Sequence, residues 1–281
     1  MPLRIWESLK NSDQTPRSTP EATARSRKRV MGRSVVLAGA GRCDGCRLPP
    51  RWCVCGALPP VATALAVDVL MHRREQWRPS STGALIQRVV ERARCHVYRP
   101  EAGTRDCAIL PPSIQRPGHE LWILHPRGES LTGALPLAER SAPLAVLLLD
   151  GSWTEAGEML RIVERTGRDS THQGAGFESW AAVRCVRLQM PGPGRYWLRE
   201  QTQPGHASTA EALLAVFESV GDAAAAARFR LHFELHVYAT LRSRGRKQLA
   251  ESFLESSPLR AEIPNFLEAL CVCRPEIDPQ R

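Results

Sequence analysis

An acidic residue, a tight turn and an aromatic residue follow a short apolar run near the middle of the chain. The run covers residues 145–149, and Asp150, Gly151, Ser152 and Trp153 come directly after it. A carboxylate in such a place can accept a proton or orient a proton donor, and an indole can stack on a flat ring. The same residues also fit an ordinary strand–turn–helix in which the aspartate only caps the turn. Spacing alone favours that plainer interpretation.

The residues around Asp150 predict a strand that ends at the aspartate and a helix that begins just after it. Residues 145–149 have the length and apolarity of a buried strand. Ser152 and Glu155 are spaced as a capping box, and residues 154–165 carry apolar side chains on one helical face. Ligands of open α/β sheets bind at the carboxyl ends of strands, so a site is expected at this turn.

A compact group of cysteines predicts a second chemical centre near the N-terminus. The spacing C-x2-C-x6-C-x-C brings together Cys43, Cys46, Cys53 and Cys55. Four neighbouring thiolates can close a tetrahedral zinc site, and such a site is structural because no coordination position stays open. The alternative is four free cysteines packed as small apolar groups, which so tight a cluster disfavours. The odd total of nine cysteines also suggests metal binding in a reducing compartment rather than disulfides.

A further strand, loop and helix are predicted ahead of the central motif. Residues 64–71 read as a buried strand, and residues 84–94 as a helix. The polar loop between them contains His72, Glu75, Arg78 and Thr82. Thr82 is a candidate helix cap. His72 has the ordinary pKa of a general base, although a histidine at a strand end more often only makes hydrogen bonds.

Strands and helices alternate along the rest of the body, which predicts an α/β fold with a largely parallel sheet and helices on both faces. The further predicted strands cover residues 95–98, 121–124 and 183–188. The strand 121–124 is expected to end in a loop at His125 and Pro126. Residues 223–242 predict a long helix with a core-facing stripe, and residues 249–281 show no clear periodicity.

Ser208 and Glu211 form a second capping box, which predicts a helix from there to about residue 220. The N–H groups at such a helix start can bind an anion. Arg199 precedes this motif, and its guanidinium could bind a carboxylate or a phosphate. A plain surface arginine is an equally good interpretation of Arg199.

The charge distribution favours a polyanionic partner. The net charge is +9, and the first 34 residues hold eight Lys/Arg against three Asp/Glu. This excess suits RNA, although a basic tail can also serve only solubility. No apolar run reaches the ~20 residues of a membrane span, and the N-terminus lacks an apolar signal core. The chain is therefore expected to be cytoplasmic, with residues 1–40 as a disordered basic tail.

Four separated motifs together resemble the DTW-domain family. Asp150-Gly151-Ser152-Trp153 is similar to the family pattern Asp-x-Thr-Trp, with serine keeping the hydroxyl. The cysteine cluster, the His72-x-x-Glu75 loop and Ser208-Thr209-x-Glu211 match in the same order. The loop departs from the family at Ser80-Ser81-Thr82-Gly83, where Thr-Asn-Thr-Gly is usual. The resemblance covers roughly residues 43–240 and implies a SPOUT-like fold with a C-terminal trefoil knot. The expected domains are a zinc knuckle at 41–60, a catalytic domain at 61–248 and a tail at 249–281.

The resemblance also implies an activity. The family's enzymes transfer the 3-amino-3-carboxypropyl group of S-adenosylmethionine (SAM) to N3 of a uridine in tRNA and release methylthioadenosine. The family includes enzymes that act in the variable loop and in the D loop of tRNA, and the variable loop is the expected target. SAM is then the co-substrate, zinc is structural, and Asp150, Ser152 and Trp153 are the catalytic candidates. The implied SAM contacts are His125, Pro126, Asp150, Gly151, Arg199, Ser208, Thr209 and Glu211, and the implied RNA contacts are His72, Glu75, Arg78 and Thr82.

Two other functions stay open on the sequence. One is a SAM-dependent RNA methyltransferase of similar fold, which would release S-adenosylhomocysteine. The other is a non-catalytic RNA-binding protein built around the zinc knuckle, in which Asp150 would have no chemical role.

Overall fold

A five-stranded parallel sheet forms the centre of the chain. The computed structural model describes residues 41–100, 114, 116–131, 133–168, 180–189, 194–199 and 207–272, all of which belong to one compact unit. The strands are β1 (Ala66–His72), β2 (Arg94–Tyr98), β3 (Glu120–Ser130), β4 (Leu144–Asp150) and β5 (Ala182–Arg187). Their order in the sheet is β2-β1-β4-β3-β5, with every pairing parallel. The predicted α/β class and parallel sheet are confirmed.

Helices cover both faces of this sheet, as predicted. They are α1 (Thr82–Val89), α2 (Trp153–Arg168), α3 (Thr209–Ser219), α4 (Ala223–Ser243), α5 (Lys247–Glu255) and α6 (Ile263–Val272). One core cluster packs α2 against the sheet through Met159, Leu160 and Val163. The larger cluster packs α1, α3, α4 and α5 against the opposite face. Parallel strands buried on both faces explain why the strand segments read as continuous apolar runs.

The alternation of β4 determines the face on which its aspartate lies. Leu144, Val146 and Leu148 belong to the cluster under α1 and α3, whereas Ala145 and Leu147 belong to the cluster under α2. Side chains alternate between the faces of a strand, so Asp150 continues the first series. The aspartate therefore points away from its own following helix α2 and towards the starts of α1 and α3.

Two local expectations differ from the structure. Ser81, not Thr82, is the N-cap of α1, because the Ser81 hydroxyl accepts from the N–H of Ala84 at 3.1 Å. β3 does not end before His125 and Pro126 but continues to Ser130, with a register shift against β5 between Leu124 and Glu129. The irregularity in β3 therefore lies where the sequence predicts a loop, and such irregularities commonly redirect side chains near functional sites.

The C-terminal segment is more ordered than its sequence indicated. The expected boundary at residue 248 falls inside α5, whose Ala250 and Phe253 are buried in the same cluster as the sheet. Ile263 of α6 is buried against α4 through Leu231 and Leu235. These helices pack on the body, so residues 249–272 are not a free tail.

Some expectations stay outside the described residues. They concern the basic tail 1–40 and the end of the C-terminal tail, residues 273–281. The trefoil knot stays a prediction, as does the division into a knuckle and a catalytic domain. No helix in the described ranges is both long and apolar enough to cross a lipid bilayer.

Candidate active site and cysteine cluster

A cavity of about 620 Å³ opens at the carboxyl ends of the central strands. Its size lies within the range of small-molecule sites, about 300–1,000 Å³. Three helix starts and three strand ends contribute to its walls. The predicted site residues that line it are Thr82, His125, Pro126, Asp150, Gly151, Ser152, Trp153, Arg199, Ser208 and Thr209. The fold thus brings ten of the predicted site residues together at one cavity, although some of them are more than 100 residues apart in the chain.

Asp150 sits in a cradle of three hydrogen-bond donors. Its Oδ1 accepts from the Thr209 hydroxyl at 2.6 Å and from the Gly83 N–H at 3.3 Å. Its Oδ2 accepts from the Ser81 hydroxyl at 3.1 Å. These donors come from the starts of α1 and α3, the helices that the alternation of β4 directs Asp150 towards. The carboxylate is therefore fixed in orientation as a hydrogen-bond acceptor.

Burial raises the pKa of Asp150 above its ordinary value. The side chain is only 4% exposed, and desolvation is the largest cause of the shift. The hydrogen bonds from Thr209 and Ser81 act in the opposite direction, because they stabilise the charged form. The negative charge of Glu75 raises the pKa further, while Arg199 lowers it. Balanced in this way, the carboxyl group can change its protonation more readily than an exposed aspartate at neutral pH.

Gly83 is required by the close approach of α1 to Asp150. A Cβ atom at position 83 would lie 2.6 Å from both Cγ and Oδ2 of the aspartate. Real Cβ contacts do not come so close, and a buried carboxylate held by three donors cannot move aside freely. Sequence reasoning missed Gly83 and Ser81 as site residues, although both lie in the loop motif that it singled out.

The start of α3 forms the second wall, and its capping box is confirmed. Glu211 accepts from the Ser208 N–H at 2.7 Å, while the Ser208 hydroxyl accepts from the Glu211 N–H. The other oxygen of Glu211 accepts from the N–H groups of Arg195 and Tyr196. Glu211 is buried and does not line the cavity. Its contacts hold the segment 194–199 against α3, so Glu211 acts on the cavity through that segment.

That segment is anchored on several sides. Arg195 makes a two-pronged ion pair with Glu234 of α4, at 2.9 and 2.7 Å. The Tyr196 hydroxyl donates to the Ser80 carbonyl, and Arg244 donates to the Leu198 carbonyl at 3.1 Å. Burial raises the pKa of Tyr196 to about 12, which keeps its donor proton in place. These contacts of residues 195–198 position the residue that follows them, Arg199, at the cavity wall.

Arg199 pairs with Glu75, an acidic residue of the loop between β1 and α1. Oε2 of Glu75 accepts from Arg199, and Oε1 accepts from Arg78 at 2.5 Å. Glu75 is 2% exposed, so two cations compensate one buried charge. Neither Glu75 nor Arg78 lines the cavity. Their contribution is to hold Arg199, which does line it.

The start of α2 completes the wall on the other side of Asp150. Glu155 accepts from the Ser152 N–H at 2.8 Å, and the Ser152 hydroxyl accepts from the Glu155 N–H at 3.4 Å, so the predicted capping box is present. Glu155 also contacts Nδ1 of His72 at 3.0 Å. His72 is buried on the α2 face, away from the cavity. Trp153 lines the cavity and is 39% exposed.

His125 and Pro126 reach the cavity from within β3. Burial lowers the pKa of His125, and the nearby charge of Arg127 acts in the same direction, so both favour the neutral imidazole. Two residues later, a Cβ on Gly128 would lie 2.6 Å from the backbone of Val186. The glycine therefore allows the irregular part of β3 to lie directly against β5 and close this side of the site.

The four predicted cysteines converge on one point. Their Sγ atoms all lie within 4.8 Å of one another, and those of Cys43 and Cys55 are 3.7 Å apart. Zinc–sulfur bonds of about 2.3 Å in a tetrahedron give sulfur separations of about 3.8 Å. The residues therefore fit zinc and suit a structural, four-thiolate site.

The cysteine cluster packs against the α/β body of the protein. Cys46, Leu48 and Val54 pack against Ala239 of α4. Gly45 leaves room at the centre, since a Cβ there would lie 3.0 Å from Sγ of Cys55.

Comparison with known proteins identifies the family. The family model of the DTW domain matches residues 40–242, which is well over half of the chain. The chain belongs to the DTW-domain family. The matched range of the DTW domain begins just ahead of the cysteine cluster and ends in α4, so it contains the cavity. The predicted family membership is confirmed.

A curated relative supports the same assignment. The DTW-domain chain is similar to tRNA-uridine aminocarboxypropyltransferase 2 of Drosophila melanogaster, with 28% identity over 188 residues. The alignment covers 63% of this chain and 67% of the relative. No solved structure matches the chain.

Proposed function

We propose that this protein transfers the 3-amino-3-carboxypropyl group of SAM to N3 of a uridine in tRNA. The observation that carries the proposal is Asp150, a buried cavity-lining carboxylate with a raised pKa and three fixed donors, in a chain of the DTW-domain family. The relative at 28% identity bears the name of this activity. The proposed target is in the variable loop of the tRNA, and the expected location is the cytoplasm.

The cavity offers complementary groups for SAM. The N-termini of α1, α2 and α3 all lie at its walls. The free N–H groups of a helix N-terminus favour negatively charged groups such as the carboxylate of SAM. Leu124, Leu148 and Val186 give an apolar wall for the adenosine part. Trp153, half-open at the rim, is in position to stack on a base. Arg199, held by Glu75, adds a cation for the carboxylate or for an RNA phosphate.

The described hydrogen bonds of Asp150 leave one lone pair of its carboxylate without a donor, and we assign that position to the substrate. A carboxylate oxygen has two lone pairs. Among the described residues, Oδ1 accepts from Thr209 and Gly83, whereas Oδ2 accepts from Ser81 alone. The second lone pair of Oδ2 is thus the position for the N3–H of uracil. In this arrangement Asp150 either takes the N3 proton or orients it, and the raised pKa favours uptake.

The proposed reaction balances without a further reactant. The N3 electron pair forms a bond to the methylene carbon next to the sulfonium in the methionine part of SAM. The carbon–sulfur bond breaks, and its electrons neutralise the sulfonium to give methylthioadenosine. The N3 proton leaves by way of Asp150 to solvent. Holding the correct carbon in line with N3 supplies much of the acceleration, since neighbouring sulfonium carbons are also electrophilic.

Zinc takes no part in this step. Bound by Cys43, Cys46, Cys53 and Cys55, it would stabilise the knuckle against α4.

The test is an incubation of purified protein with SAM and unmodified tRNA, followed by mass spectrometry of both products. The proposal expects methylthioadenosine together with 3-(3-amino-3-carboxypropyl)uridine. S-adenosylhomocysteine together with a methylated nucleotide would contradict the proposal and identify the protein as a methyltransferase. Tight tRNA binding with neither product would favour the non-catalytic RNA-binding protein.

A further inference from the structure

Trp77 is the most exposed large apolar side chain in the described part of the chain. It is 64% exposed, compared with 56% for Leu135 and 39% for Trp153 and Leu249. It lies in the loop between β1 and α1, three residues before Ser80, which lines the cavity. A single exposed apolar side chain is common on protein surfaces, so the charged groups around this indole decide whether it forms an interaction surface.

The cysteine knuckle supplies a cation beside this ring. The guanidinium carbon of Arg47 lies over the Trp77 ring, 4.9 Å from its centroid. Arg47 directly follows Cys46 and has φ of 61°, a left-handed conformation that few non-glycine residues adopt. Its N–H donates to the Cys43 carbonyl at 2.8 Å, so the knuckle holds the turn. The cation covers one part of the indole, and the large exposed fraction shows that much of the ring stays open.

Both segments are rich in exposed positive charge. The knuckle and the loop together expose Arg42, Arg51, Arg73, Arg74 and Arg78. The exposed acid next to Arg47 is Asp44, at 3.7 Å, while Glu75 is buried and already paired with two arginines. An aromatic ring among arginines matches the surface of single-stranded nucleic acid, in which flat bases alternate with phosphates.

A chain of contacts connects Trp77 to the cavity. Arg78, the next residue, pairs with Glu75, and Glu75 pairs with Arg199 at the cavity wall. A nucleic acid strand that enters the cavity with one base would therefore have neighbouring nucleotides within reach of this loop.

We infer that Trp77, backed by Arg47, is a stacking platform for an unpaired base of the RNA substrate, outside the catalytic cavity. The inference rests on the proposed function in one respect, namely that RNA is the ligand. It gives the knuckle a role in substrate recognition, since the knuckle aims Arg47 at the indole. Base stacking tolerates any sequence, so the platform contributes affinity and orientation rather than base identity.

The experiment compares full-length Trp77→Ala, Trp77→Phe and Leu135→Ala with the wild type. Leu135 is a matched control because it is similarly exposed but precedes the turn at Leu137, whose N–H bonds to Val220 beyond the far end of α3. Two quantities are measured: the Kd for unmodified tRNA by direct binding, and the KM for tRNA and kcat at saturating SAM. Trp77→Ala is expected to raise Kd and KM about tenfold with kcat nearly unchanged.

The controls separate stacking from folding and from the catalytic proposal. Trp77→Phe is expected to recover most of the affinity, because a phenyl ring still stacks, and Leu135→Ala to keep wild-type values. Equal Kd for wild type and Trp77→Ala would overturn the platform, as would equal losses in Trp77→Ala and Leu135→Ala. A wild type that makes no product would overturn the proposed function alone, because the Kd comparison would still judge the platform.

Discussion

The Thr209 hydroxyl donates a 2.6 Å hydrogen bond to Oδ1 of Asp150, although 59 residues separate the two in sequence. The contact joins the first residue of α3 to the last residue of β4. It also opposes burial, which raises the pKa of the aspartate, by stabilising its charged form. A helix start and a strand end thus jointly set the protonation of the central carboxylate.

Thr209→Val should shift the pH dependence of the reaction. Valine keeps the shape of threonine but removes the donor, so the pKa of Asp150 rises further above its ordinary value. If the reaction needs the ionised aspartate, the acidic limb of the kcat/KM profile moves to higher pH. Activity below that limb should fall about tenfold, since a hydrogen bond to a charged group contributes about 1.5–3 kcal/mol.

Thr209→Ser is the matched control, because it keeps the hydroxyl and loses only a methyl group. Its pH profile should follow the wild type. A profile for Thr209→Val that overlays the wild type would show that the hydrogen bond does not govern the reacting group.

Gly83→Ala should damage the site by sterics alone. The added Cβ would meet Asp150 at 2.6 Å, so either α1 or the carboxylate must shift. Overpacking of this kind costs about 1–3 kcal/mol of unfolding free energy. The rate of product formation should fall about tenfold or more, because the donors to Asp150 move with α1. Chemical denaturation and product formation measure the two effects.

Gly157→Ala in α2 provides the comparison for this change. The nearest atom to a Cβ there is Nη2 of Arg127 at 4.0 Å, so there is space. Alanine in a helix interior should stabilise the protein by about 0.5–1 kcal/mol and leave turnover unchanged. Equal behaviour of the two variants would refute the steric argument at position 83.

The cysteine cluster should bind about one zinc ion per chain. Cys46→Ser should lose most of the metal and lower Tm, because binding free energy of a structural zinc site is folding free energy. Metal analysis by mass spectrometry and thermal unfolding with and without chelator test this. Cys185→Ser, a change to a half-buried cysteine of β5 outside the cluster, should keep the zinc. Metal-free wild-type protein with an unchanged Tm would contradict a structural zinc.

Much of this architecture could be predicted because it depends on local patterns. The apolar run before Asp150 predicted β4, and both capping boxes predicted helix starts that the structure confirms. The cysteine spacing predicted the convergence of four sulfur atoms. Each of these features arises within 13 consecutive residues or fewer, so one short stretch of sequence contains all the interacting groups.

The contacts that define the site could not be predicted in this way, because their partners are far apart in the chain. Glu75 and Arg199 are 124 residues apart, and nothing in either motif indicates the ion pair. Thr82 looked like the cap of α1, but the backbone turns one residue earlier and Ser81 caps it. His72 and Glu211 were implied contacts of RNA and of SAM, and tertiary packing buries both outside the lining of the cavity.

The central claim concerns Asp150, and Asp150→Asn tests it with little disturbance of the fold. The asparagine Oδ1 can accept from Thr209 and Gly83 as before, and its Nδ2 can donate to the Ser81 hydroxyl. Because the folded-state pKa of Asp150 is raised, ionising it costs stability as pH rises through that pKa. The neutral variant should therefore have a Tm at pH 7 that is equal to or above that of the wild type.

The measurement is a single-turnover reaction of Asp150→Asn and wild type with SAM and unmodified tRNA, with product quantified by mass spectrometry and tRNA binding measured in parallel. We expect unchanged tRNA affinity and a rate of aminocarboxypropyl-uridine formation reduced at least about 100-fold. A variant that binds tRNA and forms this product at the wild-type rate would contradict the assignment of Asp150 as the group that receives or orients the uridine proton.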